Sequence, residues 1–169
     1  QERSVRSEIR LLEGLLKRLR PVTLARGWGT AGCERFWQLR REFSYSLRDT
    51  GLTKLNEDIV VPRSKLVELV EFAARLQTET GIPVACFGHA GDGNIHTNLM
   101  VGDYENPAVR QKAEHALDLL FTWVLDNGGA ITGEHGVGLA KKRWIGQALG
   151  AVSLDVHRAI KHALDGGDL

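Results

Sequence analysis

VACFGHAGDGNIHTNLMV, residues 84–101, holds the two patterns from which the fold of this chain is read. Val84–Phe87 is a short, continuous apolar run, which reads as a buried strand. Residues 94–101 alternate instead. In an extended backbone Asn94, His96, Asn98 and Met100 share one face and Ile95, Thr97, Leu99 and Val101 share the other, which reads as an exposed or site-facing strand. Between the two runs, glycines at 88, 91 and 93 allow a sharp reversal that brings His89 back beside His96. Asp92, between two of those glycines, suits an Asx-type hydrogen bond within the turn.

Towards the N-terminus, apolar residues recur at helical spacing from Ser4 to Leu19, and Pro21 ends that run. Val22–Ala25 is expected to be a short strand, and Cys33–Asp49 a second helix stopped by Gly51. Asp58–Val61 reads as a strand closed by Pro62, with Ser64 as N-cap of a helix over Lys65–Thr80 that ends at Gly81. Beyond residue 101, Asn106 and Pro107 start a long helix that runs to Asn127, before two glycines. A strand is expected near Ala130–Thr132, followed by a helical tail over 139–164 broken near Gly146 or Gly150. Strands and helices interleave without a repeated parallel βαβ pattern. The expected class is therefore α+β: an antiparallel sheet covered by helices, in one domain over residues 1–169.

The 169 residues suffice for a hydrophobic core without disulfides, and the net charge of +1 comes from mixed signs spread along the chain. That balance argues against nucleic acid and against binding to an anionic membrane through bulk charge. No apolar run approaches the roughly 20 residues of a spanning helix, so a soluble chain without a transmembrane segment is expected. Cys33 and Cys86 have no CxxC spacing and fit a reducing compartment. A start at Gln1 and an end at DGGDL read as a piece of a longer protein.

A second glycine-rich stretch, ITGEHGVGL at 131–139, supplies Glu134 and His135. If the two loops converge, His89, His96 and Glu134 form a two-histidine, one-carboxylate set that leaves metal positions open, with His135 beside it as a base. The spacing of His89 and His96 matches no standard zinc signature, so structural histidines remain an even alternative on composition alone. GEHGVG also reads as an anion nest, with Lys141, Lys142 and Arg143 adding charge. His115, His157 and His162 fall within helical patterns and suit exposed surface or packing. Arg40 lies in a helix where arginines are usually surface charges, although a guanidinium also clamps carboxylates.

GHAGDGNIH at 88–96 and GGAITGEHGVG at 128–138, preceded by NEDIVVPRSKL at 56–66, resemble the C-terminal domain of FAD-linked oxidases of the vanillyl-alcohol oxidase type. That group includes D-lactate dehydrogenases, the flavin subunit of glycolate oxidase and D-2-hydroxyglutarate dehydrogenase. The resemblance implies a ferredoxin-like cap domain of a flavoprotein that completes a substrate site over FAD held by a separate N-terminal domain. It implies a divalent metal, usually zinc, on His89, His96 and Glu134, and a catalytic base at His135. Arg40 and Asn98 then match substrate-binding positions. Ser44 and Asn56 stand where the hydroxyglutarate branch has threonine and lysine. ALDGGDL replaces the usual flavin-contacting tail. The departures at Ser44 and Asn56 favour a smaller monocarboxylate, such as D-lactate or glycolate, over hydroxyglutarate.

The implied reaction is oxidation of a 2-hydroxy acid to a 2-oxo acid with hydride transfer to FAD. The parent would be cytoplasmic or peripheral to the inner membrane through partners, with an iron–sulfur protein as possible electron-transfer partner. The rivals are a D-2-hydroxyglutarate dehydrogenase, a metal-dependent hydrolase using the same three ligands, and a non-catalytic interaction module.

Overall fold

Strand β3 (Asn94–Val101) is the middle of the sheet, paired antiparallel along its whole length with β1 (Thr53–Val60) and with β2 (Val84–His89). The computed structural model describes residues 2–165 and 167, without the side chains of Glu2 and Ser44; the expectation on the Ser44 side chain, and that on ALDGGDL at Gly166, Asp168 and Leu169, lie outside the described residues. The chain divides into two compact units, Gln1–Ser46 and Leu47–Leu169.

The first unit is helical. Helices α1 (Glu2–Arg18) and α2 (Gly29–Arg48) are joined by a segment without regular structure, in which Arg26 pairs with Glu13 at 2.8 Å and the Arg6 guanidinium lies over Trp28. Val22–Ala25 is thus not a strand: it pairs with no neighbouring strand, and an extended segment without a ladder has nothing to define it.

The second unit contains the core. After β1 come a 3-10 turn at Arg63–Lys65 and helix α3 (Leu66–Thr80); α4 (Pro107–Asp126) follows β3. A 3-10 turn at Lys142–Trp144 leads to the short helix α5 (Ile145–Ala148), and Gly150 separates it from α6 (Ala151–Leu164). The order β1-β3-β2, with α3 crossing from β1 to β2, is the split βαβ arrangement of ferredoxin-like folds. The expected strand at 130–132 contracts to one bridge, Ala130 with Val60 on the outer edge of β1.

β1 is twice the expected length because Thr53–Glu57, with lysine, asparagine and glutamate, has weak strand propensity, and pairing with β3 overrides it. Ser64 is not an N-cap. It lies inside the 3-10 turn, Lys65 takes the cap position without a side-chain bond, and the Lys65 amide donates to the Pro62 carbonyl. Asn106, in contrast, accepts from the Ala108 amide at 2.9 Å with Pro107 at the first helical position, as the sequence implies.

The period-two pattern of β3 separates the two faces of the sheet. Leu55 and Ile59 of β1, Ile95, Leu99 and Val101 of β3 and Val84 of β2 join the apolar cluster with Leu69 and Leu76 of α3 and Leu117, Leu120, Phe121 and Val124 of α4. Asn56, Asp58, Asn94, His96, Asn98 and His89 fall on the opposite face.

Leu99 is fully buried at the centre of this cluster, so Leu99→Ala should lower stability by about 2–5 kcal/mol in urea unfolding. Gly93 has φ of 81°, and a Cβ there would lie 2.0 Å from the Val61 carbonyl oxygen. Gly93→Ala is accordingly expected to cost at least about 1–3 kcal/mol, read in the same way.

Candidate functional site

The turn between β2 and β3 closes as its residues dictate. The amides of Asp92 and Gly93 donate to the His89 carbonyl, and the Asn94 amide donates to Asp92 Oδ1 at 3.1 Å, the expected Asx-type bond. This reversal sets the two histidine rings edge-on, with centroids 6.0 Å apart. His96 occupies the central strand with Asp58 directly opposite on β1 and Phe87 directly opposite on β2.

The second loop reaches the same point. Ligand atoms of His89, His96 and Glu134 lie within 4.8 Å of one another, with His89 Nε2 3.8 Å from Glu134 Oε1. The His135 ring stacks against His96 with centroids 5.4 Å apart and planes 24° apart. Burial holds the His96 imidazole below its usual pKa; His135 and His89 add to that, and Asp58 and Glu134 oppose it. Its Nδ1 is buried and has no protein hydrogen-bond partner. A neutral ring with an uncommitted nitrogen is the form in which histidine binds a metal.

The loop is bonded here to Asp58, which the sequence does not single out. Its side chain is fully buried, and Oδ2 accepts from three consecutive amides, those of Gly133, Glu134 and His135, at 2.9, 2.6 and 2.8 Å. Oδ1 accepts from Asn94 Nδ2 at 2.7 Å. Burial alone would raise the pKa of this carboxyl. The bonds from His135, Asn94, Glu134 and Gly133 outweigh it and hold the group well below the usual carboxylate range. GEHGVG is therefore an anion nest, as one reading of the sequence has it, but the anion is the protein's own aspartate. Gly133 is needed for that approach: a Cβ there would lie 2.0 Å from Asn94 Nδ2.

Two of the three basic residues after the loop, Lys141 and Arg143, are equally committed. Lys141 is buried, and its ammonium donates to the carbonyls of Ile131 and Asp58 at 2.7 and 3.2 Å and lies 3.4 Å from Glu57 Oε2. Arg143 grips both carboxylate oxygens of Asp118 at 2.6 Å, and Trp144 Nε1 donates to the same side chain. A trace existed in the sequence: acidic residues at 57 and 58 in a strand have to find partners if they are buried.

Asn98 is fully buried and uses its amide nitrogen on the carbonyls of Ala85 and His96, each at 3.0 Å. Its Oδ1, and that of Asn56 directly across on β1, are buried without a partner. Arg40 is exposed on α2, in the first unit. His115, His157 and His162 are exposed. Cys33 and Cys86 are free thiols. Among the described residues no helix is long and apolar enough to cross a membrane.

Sequence comparison points the same way as the site. A family model for FAD linked oxidases, C-terminal domain, matches residues 4–168. The glycolate oxidase subunit GlcD of Bacillus subtilis is 34% identical over 128 residues, 76% of this chain and 27% of that protein. A D-lactate dehydrogenase of Anaerostipes hadrus is 32% identical over 108 residues, 64% of this chain and 23% of the relative. The mitochondrial D-lactate dehydrogenase [cytochrome] of Kluyveromyces lactis is 32% identical over 136 residues, 76% of this chain and 23% of its own length. The chain thus spans about a quarter of the length of the curated relatives it matches. With the match running through both glycine loops and the sheet between them, the chain belongs to the family of FAD-linked oxidase C-terminal domains.

Proposed function

We propose that this domain forms the substrate- and metal-binding side of an FAD-dependent 2-hydroxy acid dehydrogenase or oxidase, acting on a monocarboxylate of the D-lactate or glycolate kind. The observation that carries the reading is the convergence of His89, His96 and Glu134, with the His135 ring stacked beside them. The names of the relatives, D-lactate dehydrogenase and glycolate oxidase subunit, support the substrate class.

The residues fit a divalent cation of the zinc type: two imidazoles and a carboxylate, one imidazole kept neutral by burial with a free buried nitrogen. When bound, FAD supplies the hydride acceptor and the cation supplies Lewis-acid polarisation of the substrate hydroxyl. Arg40, on α2 of the first unit, keeps the substrate-carboxylate role that the family resemblance implies, since a guanidinium has the bidentate geometry for it. The substrate role that the resemblance implies for Asn98 rests on Oδ1, a buried acceptor with no protein partner, while its amide holds the backbone of His96. His135 takes the hydroxyl proton, the task for which imidazole suits neutral pH, and loss of that proton together with the Cα hydride leaves the 2-oxo acid. Asn56 presents an acceptor oxygen and no cation opposite Asn98, so nothing at that position grips a second carboxylate. That favours lactate or glycolate over hydroxyglutarate.

In the full-length protein, reduction of an artificial electron acceptor should be faster with D-lactate or glycolate than with D-2-hydroxyglutarate; the reverse order would move the assignment to the hydroxyglutarate branch. His135→Ala there is expected to cut turnover by about 10²–10⁴-fold with unchanged flavin and metal content. By elemental analysis the 169-residue chain should carry one equivalent of divalent metal, retained in His135→Ala and lost in His96→Ala. Hydrolytic turnover by the isolated chain would favour the hydrolase reading instead.

A further inference from the structure

We propose that Asp58 is a positioning residue for this site: its carboxylate fixes the backbone of Gly133, Glu134 and His135, and so places the Glu134 carboxylate and the His135 ring against His96. The inference rests on the reading that Glu134 and His135 work at the site. It adds that neither is placed by its own side-chain contacts alone.

The geometry is specific. Asp58 stands opposite His96 in the sheet register, so one rigid strand pair carries both the ligand ring and the anion that captures the loop. Three successive amides converge on one oxygen, which sets the direction of three consecutive backbone units rather than one. The segment 131–137 has no helix or ladder of its own to do this. Its far end is pinned separately from the opposite face of β1, where Lys141 meets Glu57 and the carbonyls of Asp58 and Ile131. Neighbouring residues of one strand thus hold the loop at Gly133–His135 and again, beyond it, at Lys141. Asp58 touches neither substrate nor cation in this scheme; it acts through the three loop residues it holds and through its charge opposite His96.

Asp58→Asn separates charge from shape. The carbonyl of an asparagine can still face the nest, and its amide can donate to the orphaned Asn94 Oδ1 if that amide rotates. Zn²⁺ titration of the 169-residue chain with a competing chelator is expected to show affinity about 10–100-fold weaker for Asp58→Asn and weaker again for Asp58→Ala. Leu99→Ala, a core variant remote from the loop, should lose stability and keep its affinity. Wild-type affinity in both Asp58 variants, or an equal loss in Leu99→Ala, overturns the proposal. If the Asp58 variants do not fold, hydrogen exchange on the wild-type chain decides: the amides of 133, 134 and 135 should be protected well beyond those of 90 and 91, and fast exchange at all three overturns it. If the wild-type chain binds no Zn²⁺, the metal reading fails on its own, and the exchange result still tests the role of Asp58.

Discussion

A buried carboxylate and an irregular loop solve each other's problem in this domain. Taking an aspartate out of water costs several kcal/mol unless donors replace the lost hydration, and a loop drawn into the protein leaves amide groups that have no ladder to join. Asp58 supplies the acceptor and residues 133–135 supply the donors, with Asn94 closing the remaining side. These bonds tie the backbone of Glu134 and His135 to the strand that lies beside His96.

That arrangement depends on β3 being the central strand. A central strand presents each side chain between two neighbours at the same register, and His96 is flanked by Asp58 and Phe87. The apolar face of the strand packs on α3 and α4, which fixes the backbone and leaves the polar face as a rigid platform. Sites on such elements hold their geometry more closely than sites built from loops alone. Here one loop is short and turned by glycines, and the other is tied to the platform.

On the other face of β1, the Glu57–Lys141 pair performs a related task under harsher conditions. Burial raises the pKa of Glu57 against the influence of Lys141, a sign that desolvation is not fully offset by the partner. Lys141 also donates to the carbonyls of Ile131 and Asp58, at 2.7 and 3.2 Å, besides its 3.4 Å contact with Glu57. Arg143 and Trp144 then fasten the following turn to Asp118 on α4, with the Trp144 ring edge-on to Phe121 at 4.6 Å. The loop is therefore bounded by packed structure and does not hang from one attachment.

Much of this was legible in the residues alone. Alternation in 94–101 marks a two-faced strand, the glycines around His89 mark a reversal, and Asn106-Pro107 mark a helix start; each is a local preference that the tertiary structure leaves intact. The histidine pair and the second loop could be recognised for the same reason, since glycine and imidazole carry their chemistry wherever they stand. Three things were decided only by long-range contact. Thr53–Glu57 became strand because β3 offered five consecutive partners, residues 97–101, against the residues' own weak propensity. Val22–Ala25 had no such partner and stayed irregular. Asp58, an unremarkable acid in sequence, became the anchor of the site because the fold buried it 75 to 77 positions away from the amides it holds. Local pattern dictates what a segment can become; which charge is desolvated, and by whom it is satisfied, depends on residues that meet only when the sheet closes.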